Sequence, residues 1–365
     1  MTNILPTQLD DILDRTEPLW EQVRRERIFV TGGTGFIGIW LLESFLHANR
    51  RLSLKAQANV LTRNPEAFEK RAPHLVTDSI TLSQGSMDNF KTPRGTFAAV
   101  IHAAADVNSR ASALPASLLN SWKTLVAGTE RVLEAASHMG AEKFLLTSSG
   151  AVYGTQPPSL RHMPETYQGA PDVTQVSSVY GEGKRAAEML SVISGTALGV
   201  QCKIARLFAC VGPWQPIDSY FAIGNFIRDV LDGHVPHIRG DGRPYRSYLY
   251  AADAVVWLWT ILFRGLANEP YNVGSEREIT IAETAKLVAK CGGLNPDSIN
   301  TPSDQTNFGS SSRYVPDTSK ARTELGLTQH VPLEEAINRT LEWHRRARGR
   351  GNRTPSPSYT GFKLI

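Results

Sequence analysis

Arg27-Ile28-Phe29-Val30-Thr31-Gly32-Gly33-Thr34-Gly35-Phe36-Ile37-Gly38 is the stretch whose reading decides the fold. An apolar run opens into glycines and then into Ile39-Trp40-Leu41-Leu42-Glu43-Ser44-Phe45-Leu46, which has helical character. A strand, a tight glycine turn and a helix N-terminus together form a cradle for a pyrophosphate. The glycines let the backbone turn sharply and approach the ligand, while the helix end offers unpaired N–H groups and a positive dipole. The spacing is Gly32-x-x-Gly35-x-x-Gly38, not G-x-G-x-x-G, so the flanking strand and helix carry the reading more than the glycines do. A dinucleotide site is predicted here, with Gly32, Gly35, Phe36, Ile37 and Gly38 around it.

Far downstream, Ser177-Ser178-Val179-Tyr180-Gly181-Glu182-Gly183-Lys184 contains Tyr180-x-x-x-Lys184. On a helix, residues four apart share one face, so the phenol and the ammonium sit together. The ammonium stabilises a phenolate, which makes Tyr180 a candidate acid/base. The same spacing also describes ordinary surface pairs on helices. Lys143-Phe144-Leu145-Leu146-Thr147-Ser148-Ser149 reads as a buried parallel strand ending in hydroxyl residues. Active groups of open α/β sheets gather at the carboxyl ends of strands. Ser149 there can bind a substrate oxygen while Tyr180 moves its proton. Taken alone, Ser148 and Ser149 are equally well ordinary turn residues.

These three elements in this order resemble the extended short-chain dehydrogenase/reductase family, in particular its nucleotide-sugar epimerases, dehydratases and reductases. The resemblance runs from about Arg27 to Trp343. It takes in Val100-Ile101-His102-Ala103-Ala104-Ala105, Gly128-Thr129-Glu130-Arg131, Arg206-Leu207-Phe208-Ala209-Cys210-Val211-Gly212-Pro213 and Arg246 within the stretch Gly240 to Asp253. Tyr271-Asn272-Val273-Gly274 and Asp317-Thr318-Ser319-Lys320-Ala321 complete it. The resemblance implies a doubly wound parallel (Rossmann) sheet with a smaller, interleaved C-terminal substrate-binding lobe. It implies that Ser149 and Tyr180 contact the reacting sugar oxygen, with Tyr180 as acid/base, and that Lys184 holds the nicotinamide ribose. Ala103 and Ala104 would line the cofactor. Arg246 would pair with the substrate diphosphate, a role that suits a guanidinium fork. His102 is expected to be a structural histidine at a strand end. Relatives dimerise through the helix around Leu118 to Met139 and the Tyr-Lys helix, so a homodimer is expected. A fully buried helix in a monomer would give the same apolar pattern.

Departures from the family pattern narrow the chemistry. The second strand, Ala56-Gln57-Ala58-Asn59-Val60-Leu61-Thr62-Arg63, ends without the acidic residue that would bond a ribose 2′-hydroxyl and repel a 2′-phosphate. Arg63 can neutralise a 2′-phosphate, so NADP(H) is expected over NAD(H), unless Arg63 simply points to solvent. The family's 4,6-dehydratases carry an Asp-Glu pair immediately after the catalytic hydroxyl residue, and its decarboxylases favour a nearby Glu. Gly150 and Ala151 stand there and can neither take nor give a proton. Dehydration and decarboxylation are therefore disfavoured, leaving epimerisation through a transient keto sugar or net reduction of a keto sugar. Leu125, Ala209 and Ser86 replace residues that relatives use around substrate and adenine, which fits an unusual substrate or neutral drift equally well.

The 365 residues, 41% hydrophobic and 20% charged, describe a globular chain long enough for two lobes around one cleft. No apolar run is long enough for a membrane span, and the Met1–Pro6 start lacks the features of a secretory leader. Cys202, Cys210 and Cys291 have neither pairing nor metal spacing, so reduced thiols in a cytoplasmic protein are expected, and no metal site. The expected organisation is an N-terminal helical extension over 1–26, with a helix over 7–25, Thr7 as its cap and a break near Pro18. A dinucleotide domain follows over 27–211 and about 248–270. Residues 212–247 and 271–345 form the substrate lobe, with helices at 221–231, 280–291, 318–325 and 333–345. The loops 155–178 and 212–222 would carry sugar specificity. Residues 346–365 form a basic flexible tail, read as solvated rather than as a nucleic-acid or membrane contact. Among functions, a nucleotide-sugar epimerase ranks first, an NADPH-dependent keto-sugar reductase second and a dehydratase a distant third. A non-catalytic NADP(H) sensor has little need of Ser149, Tyr180 and Lys184 together.

Overall fold

The computed structural model describes residues 3–104, 114–218, 221–300 and 312–349. The expected tail from residue 350 onward and residues 219–220 of the second specificity loop lie outside the described residues. The chain starts with α1 (Pro6–Thr16), followed by a 3-10 turn over Glu17–Val23. Leu5 is the N-cap and makes no side-chain cap, so Thr7 is not the cap, while the break expected near Pro18 falls at Thr16, where α1 gives way to the 3-10 turn. Pro18 contributes to the break, because it lacks the N–H that would continue the helical hydrogen-bond ladder.

Strands and helices then alternate as β1 (Arg27–Thr31), α2 (Phe36–Arg51), β2 (Gln57–Thr62), α3 (Pro65–Arg71), β3 (Ile80–Gln84), β4 (Ala99–His102), α4 (Pro115–His138), β5 (Lys143–Ser149), α5 (Val179–Leu198) and β6 (Gln201–Leu207). The second half adds β7 (Cys210–Val211), α6 (Ala222–Leu231), β8 (Tyr245–Arg246), β9 (Leu249–Tyr250), α7 (Ala251–Arg264) and β10 (Pro270–Val273). After these come β11 (Ile279–Thr280), α8 (Ile281–Gly292), β12 (Arg313–Tyr314), α9 (Ser319–Leu325) and α10 (Leu333–Gly349). Seven strands form one sheet in the order β10-β6-β5-β4-β1-β2-β3, paired in parallel throughout. The order reverses between β1 and β4, and that switch point opens a crevice at the carboxyl ends of the strands.

Alternation along β1 shows how both faces are covered. Ile28 and Val30 belong to one apolar cluster with Trp40 of α2 and Trp259 of α7. Phe29 turns to the other face and joins Val132 of α4 and Ala187 of α5. α7 is buried along nearly its whole surface, which accounts for the apolar run Ala254 to Phe263. The N-terminal extension docks on it through Trp20 against Trp259, with ring centroids 4.7 Å apart, and through Arg15 with Asp253 at 2.7 Å.

Two expected boundaries move. Residues 270–273, read mostly as the start of the second part of the substrate lobe, form β10 and extend the large sheet by pairing with β6. Their burial there satisfies a strand edge that would otherwise be open. The last helix continues through Gly349, so 346–349 are helix and not tail. Arg348 bonds Asp232 at 2.7 Å and Arg346 pairs with Glu342, which holds the final turn. The smaller lobe is built on a three-stranded sheet in the order β11-β8-β12, with α6, α8 and α10 packed together. No helix among the described residues is long and apolar enough to cross a membrane.

Candidate active site

The glycine turn sits where the sequence places it, between β1 and α2. Gly32 has φ +73°, and a Cβ there would lie 2.4 Å from backbone atoms of Ala103 and Ala104. A Cβ on Gly38 would lie 2.1 Å from Gly32 O. The turn therefore folds flat against the end of β4 and the first turn of α2, as only glycine permits. Ala103 N donates to Thr31 O at 3.0 Å, so both alanines line the turn. Gly35 is the N-cap of α2 and supplies no side-chain cap, which leaves the N–H groups around Phe36, Ile37 and Gly38 for an anion. These features fit the pyrophosphate of a dinucleotide.

His102, at the end of β4, is buried between two hydroxyls. Its Nδ1 lies 2.7 Å from Thr31 Oγ1 and its Nε2 3.0 Å from Thr129 Oγ1. Thr129 already donates to Leu125 O, so Nε2 carries the proton and Nδ1 accepts from Thr31. Burial, reinforced by the Lys184 ammonium, pushes its pKa down to about 3. His102 is thus a neutral brace beneath the turn.

Ser149 ends β5 and caps the following 3-10 turn, its Oγ accepting from Ala151 N at 3.2 Å. Tyr180 lies in the first turn of α5 and is buried, with Lys184 one turn on. Lys184 Nζ donates to Thr147 O at 2.7 Å, which ties the helix to the strand that carries Ser149. Close approach of these elements depends on small residues. A Cβ on Gly181 would lie 2.7 Å from Ala151 O, and one on Gly183 would lie 2.7 Å from Leu125 Cδ1. Leu125 is therefore a packing residue between α4 and α5.

A buried ion pair stands behind this group. Arg206 of β6 bonds Glu188 of α5 at 2.7 Å, and Glu188 also accepts from Ser148. Arg206 donates to Tyr153 OH at 2.9 Å, and Tyr153 donates to Asn272 at 2.8 Å. Burial dominates at Tyr153 and holds its phenol protonated well above the usual range. Asn272 in turn donates to Met163 O and Asp317 O, reaching the second lobe.

The second lobe also meets Ser149 directly. Tyr314 OH lies 3.4 Å from Ser149 Oγ, and its ring sits on Phe208 with centroids 4.7 Å apart. Phe208 fills the space over Gly150, where a Cβ would lie 2.6 Å from the ring. Arg246 is paired in register with Tyr314 across β8 and β12, and its Nη1 donates to Tyr245 O at 2.8 Å. Arg246 thus lies beside the strand that brings Tyr314 to Ser149. Arg63 is exposed just beyond β2, on the same sheet edge as the glycine turn and away from Ser149.

Three residues escaped the sequence reading. Tyr314 and Phe208 have no local signal, because only the lobe-to-lobe contact makes them neighbours of Ser149. Arg71, the last residue of α3, donates to Thr34 O in the glycine turn. A basic residue at a helix C-terminus is commonplace, so nothing in its sequence context singles it out.

Comparison with known proteins follows the same lines. The model of the NAD dependent epimerase/dehydratase family matches residues 28–274. UDP-glucuronic acid decarboxylase 6 of Arabidopsis thaliana is 31% identical over 324 residues, covering 85% of this chain and 86% of that protein. The dTDP-glucose 4,6-dehydratase of Streptomyces venezuelae, solved with NAD bound, shares 25% identity at a TM-score of 0.74, covering 89% of this chain and 98% of that one. UDP-glucose 4-epimerase of Thermotoga maritima, solved with UDP-glucose, has a TM-score of 0.72 at 24% identity over 88% of this chain and 99% of that one. At that identity, the last similarity speaks to the fold alone.

Proposed function

The chain belongs to the NAD-dependent epimerase/dehydratase family and is an enzyme of the extended short-chain dehydrogenase/reductase type, and from that premise we propose that it is a nucleotide-sugar epimerase working through a transient keto sugar with NADP(H). The segment after Ser149 carries this reading. Elimination of water needs an acid/base pair beside the reacting carbons, and the family's decarboxylases favour a nearby Glu, whereas Gly150 and Ala151 offer neither. The Phe208 ring leaves no room for a side chain at 150. Hydride chemistry with a single proton transfer remains.

A nicotinamide dinucleotide, when bound, supplies a hydride acceptor and donor. Tyr180 takes the proton from a sugar hydroxyl as the carbon gives up its hydride, and returns it when the hydride comes back to the opposite face. Ser149 holds the same oxygen, Lys184 orders Tyr180 and the cofactor ribose, and Arg246 grips the diphosphate. Net reduction of a keto sugar by NADPH is the second reading, favoured by Arg63 because reductive chemistry commonly draws on NADPH. The functional unit is a homodimer joined through α4 and α5, which expose Leu119, Trp122, Met189 and Ile193.

The test is mass spectrometry of purified protein incubated with nucleotide sugars and their 4-keto forms, with trace NADP⁺ or with excess NADPH. A new isomer at unchanged mass with trace cofactor is expected. A gain of two hydrogens matched by NADPH loss would instead establish the reductase. Tyr180→Phe is expected to leave NADP⁺ affinity within about twofold and lower turnover by about 10²–10⁴-fold. Full turnover in that variant would sink the mechanism.

A further inference from the structure

Part of the loop between β5 and α5 leaves its own domain and lies along the second lobe. Met163 N donates to Val315 O at 2.9 Å and Asp317 N donates to Met163 O at 2.9 Å, with Met163 and Pro316 bridged in parallel. Gln156 strengthens this strap. Its Oε1 accepts from Val315 N at 3.0 Å, while its Nε2 donates to Leu160 O and Arg161 O at 2.9 Å each. His162 Nε2 lies 3.1 Å from Glu276 O. The loop is thus stitched to the chain that follows Tyr314.

A charge cluster stands beside the strap. Arg161 brings its Nε and Nη2 to Glu278 Oε1 at 2.8 and 2.6 Å. Arg313 donates to Glu278 Oε2, and its guanidinium lies 4.0 Å over the Tyr245 ring. Each carboxylate oxygen therefore holds one arginine, one from the loop and one from β12. Glu278 itself directly precedes β11, so three segments far apart in sequence meet on one carboxylate. Among the described residues, no other carboxylate pairs with either arginine. Side-chain exposure is 17% at Glu278 and 23% at Arg313 but 72% at Arg161, so Arg313 is the firmly held arm and Arg161 the weaker one.

The register of the small sheet connects this cluster to the site. Arg313 pairs with Tyr245, and Tyr314 with Arg246. Strand alternation puts Arg313 and Tyr245 on one face and Tyr314 and Arg246 on the other. Glu278 thus grips the back of the strand whose front brings Tyr314 OH to 3.4 Å from Ser149 Oγ. We infer that Glu278 is a positioning residue for the sugar site: by holding Arg161 and Arg313 on one carboxylate, it fixes the loop to the small sheet and sets the approach of Tyr314 to Ser149. The role rests on the reading above that Ser149 faces the sugar, and it holds for epimerisation and for reduction alike.

Hydrogen exchange of the full chain, followed by mass spectrometry, tests the clamp without substrate. Glu278→Gln keeps the shape and removes the charge. It is expected to speed exchange of the Met163, Val315 and Asp317 amides by about tenfold and to leave β1 and α2 unchanged. In turnover, the same variant is expected to raise KM for the nucleotide sugar by about tenfold, with kcat and NADP⁺ affinity within about twofold. Arg161→Gln, a change at an exposed position, is expected to act in the same direction to a smaller extent and to add little to Glu278→Gln. Unchanged exchange in Glu278→Gln would overturn the clamp. Faster exchange with KM unmoved would make the cluster a structural tie and end the positioning role. A wild type that converts none of the nucleotide sugars would end the proposed function and the positioning role with it, while the exchange rates still decide whether Glu278 joins loop to sheet.

Discussion

At Gly150 the missing side chain has a tertiary cause. A Cβ there would meet the Phe208 ring at 2.6–2.8 Å, and Phe208 is itself held against Tyr314. Gly150→Ala is expected to destabilise the protein by about 1–3 kcal/mol through overpacking. Shifting Phe208 and Tyr314 away from Ser149 should also raise KM while NADP⁺ affinity stays unchanged. Denaturant unfolding and steady-state kinetics check both, and Phe208→Leu in the same chain should restore most of the stability. The absence of an acid at 150 and 151 was plain in the sequence. Its reason was not, because Phe208 reaches Gly150 only once β6 lies beside β5. Residue-scale reading put Ser149 at the end of a strand and Tyr180 and Lys184 one turn apart on a helix, and β5 and α5 carry them there. It stopped at Tyr314 and Arg71, whose partners come from other elements.

Among the elements, β5 and α5 carry the proposed reacting residues, and Glu188 of α5 ties that helix to β5 through Ser148 and to β6 through the largely buried Arg206. Glu188 lies one turn beyond Lys184 and also accepts from Ser148, the neighbour of Ser149. Glu188→Ala would strand a buried guanidinium, so a loss of about 3–5 kcal/mol is expected from chemical denaturation. Glu188→Gln keeps an acceptor for Ser148 and should cost less. An equal cost for both variants would mean that the lost charge alone sets the penalty and that the hydrogen bond kept to Ser148 contributes nothing. Helical spacing located α5 and its Tyr-Lys face correctly, because propensity and burial agree along it. The same reasoning placed the break near Pro18 within residues 7–25 and missed only the cap, which is Leu5 and not Thr7. It also stopped α10 short, because the ion pair from Arg348 to Asp232 is a contact between distant segments.

For the whole molecule, the helix pair α4–α5 leaves Leu119 61%, Trp122 39%, Met189 60% and Ile193 56% exposed. A helix fully buried within a monomer is therefore not what this chain has. The proposed homodimer would cover these side chains, and sedimentation should show a dimer for the wild type. Leu119→Asp combined with Met189→Glu should give a folded monomer with an unchanged far-ultraviolet spectrum. A dimer that persists in that variant would place the interface elsewhere. The sequence by itself determined the doubly wound sheet, the glycine turn between β1 and α2 and the helical spacing of Tyr180 and Lys184, because strand–turn–helix periodicity and short spacings are local properties of a chain. Only the tertiary structure decided that β10 completes the sheet, that Phe208 fills the space over Gly150, that Tyr314 meets Ser149 and that Arg71 reaches the glycine turn. Each of those is a contact between residues far apart in sequence, and such contacts exist only when the packing of one lobe or element on another brings them within reach.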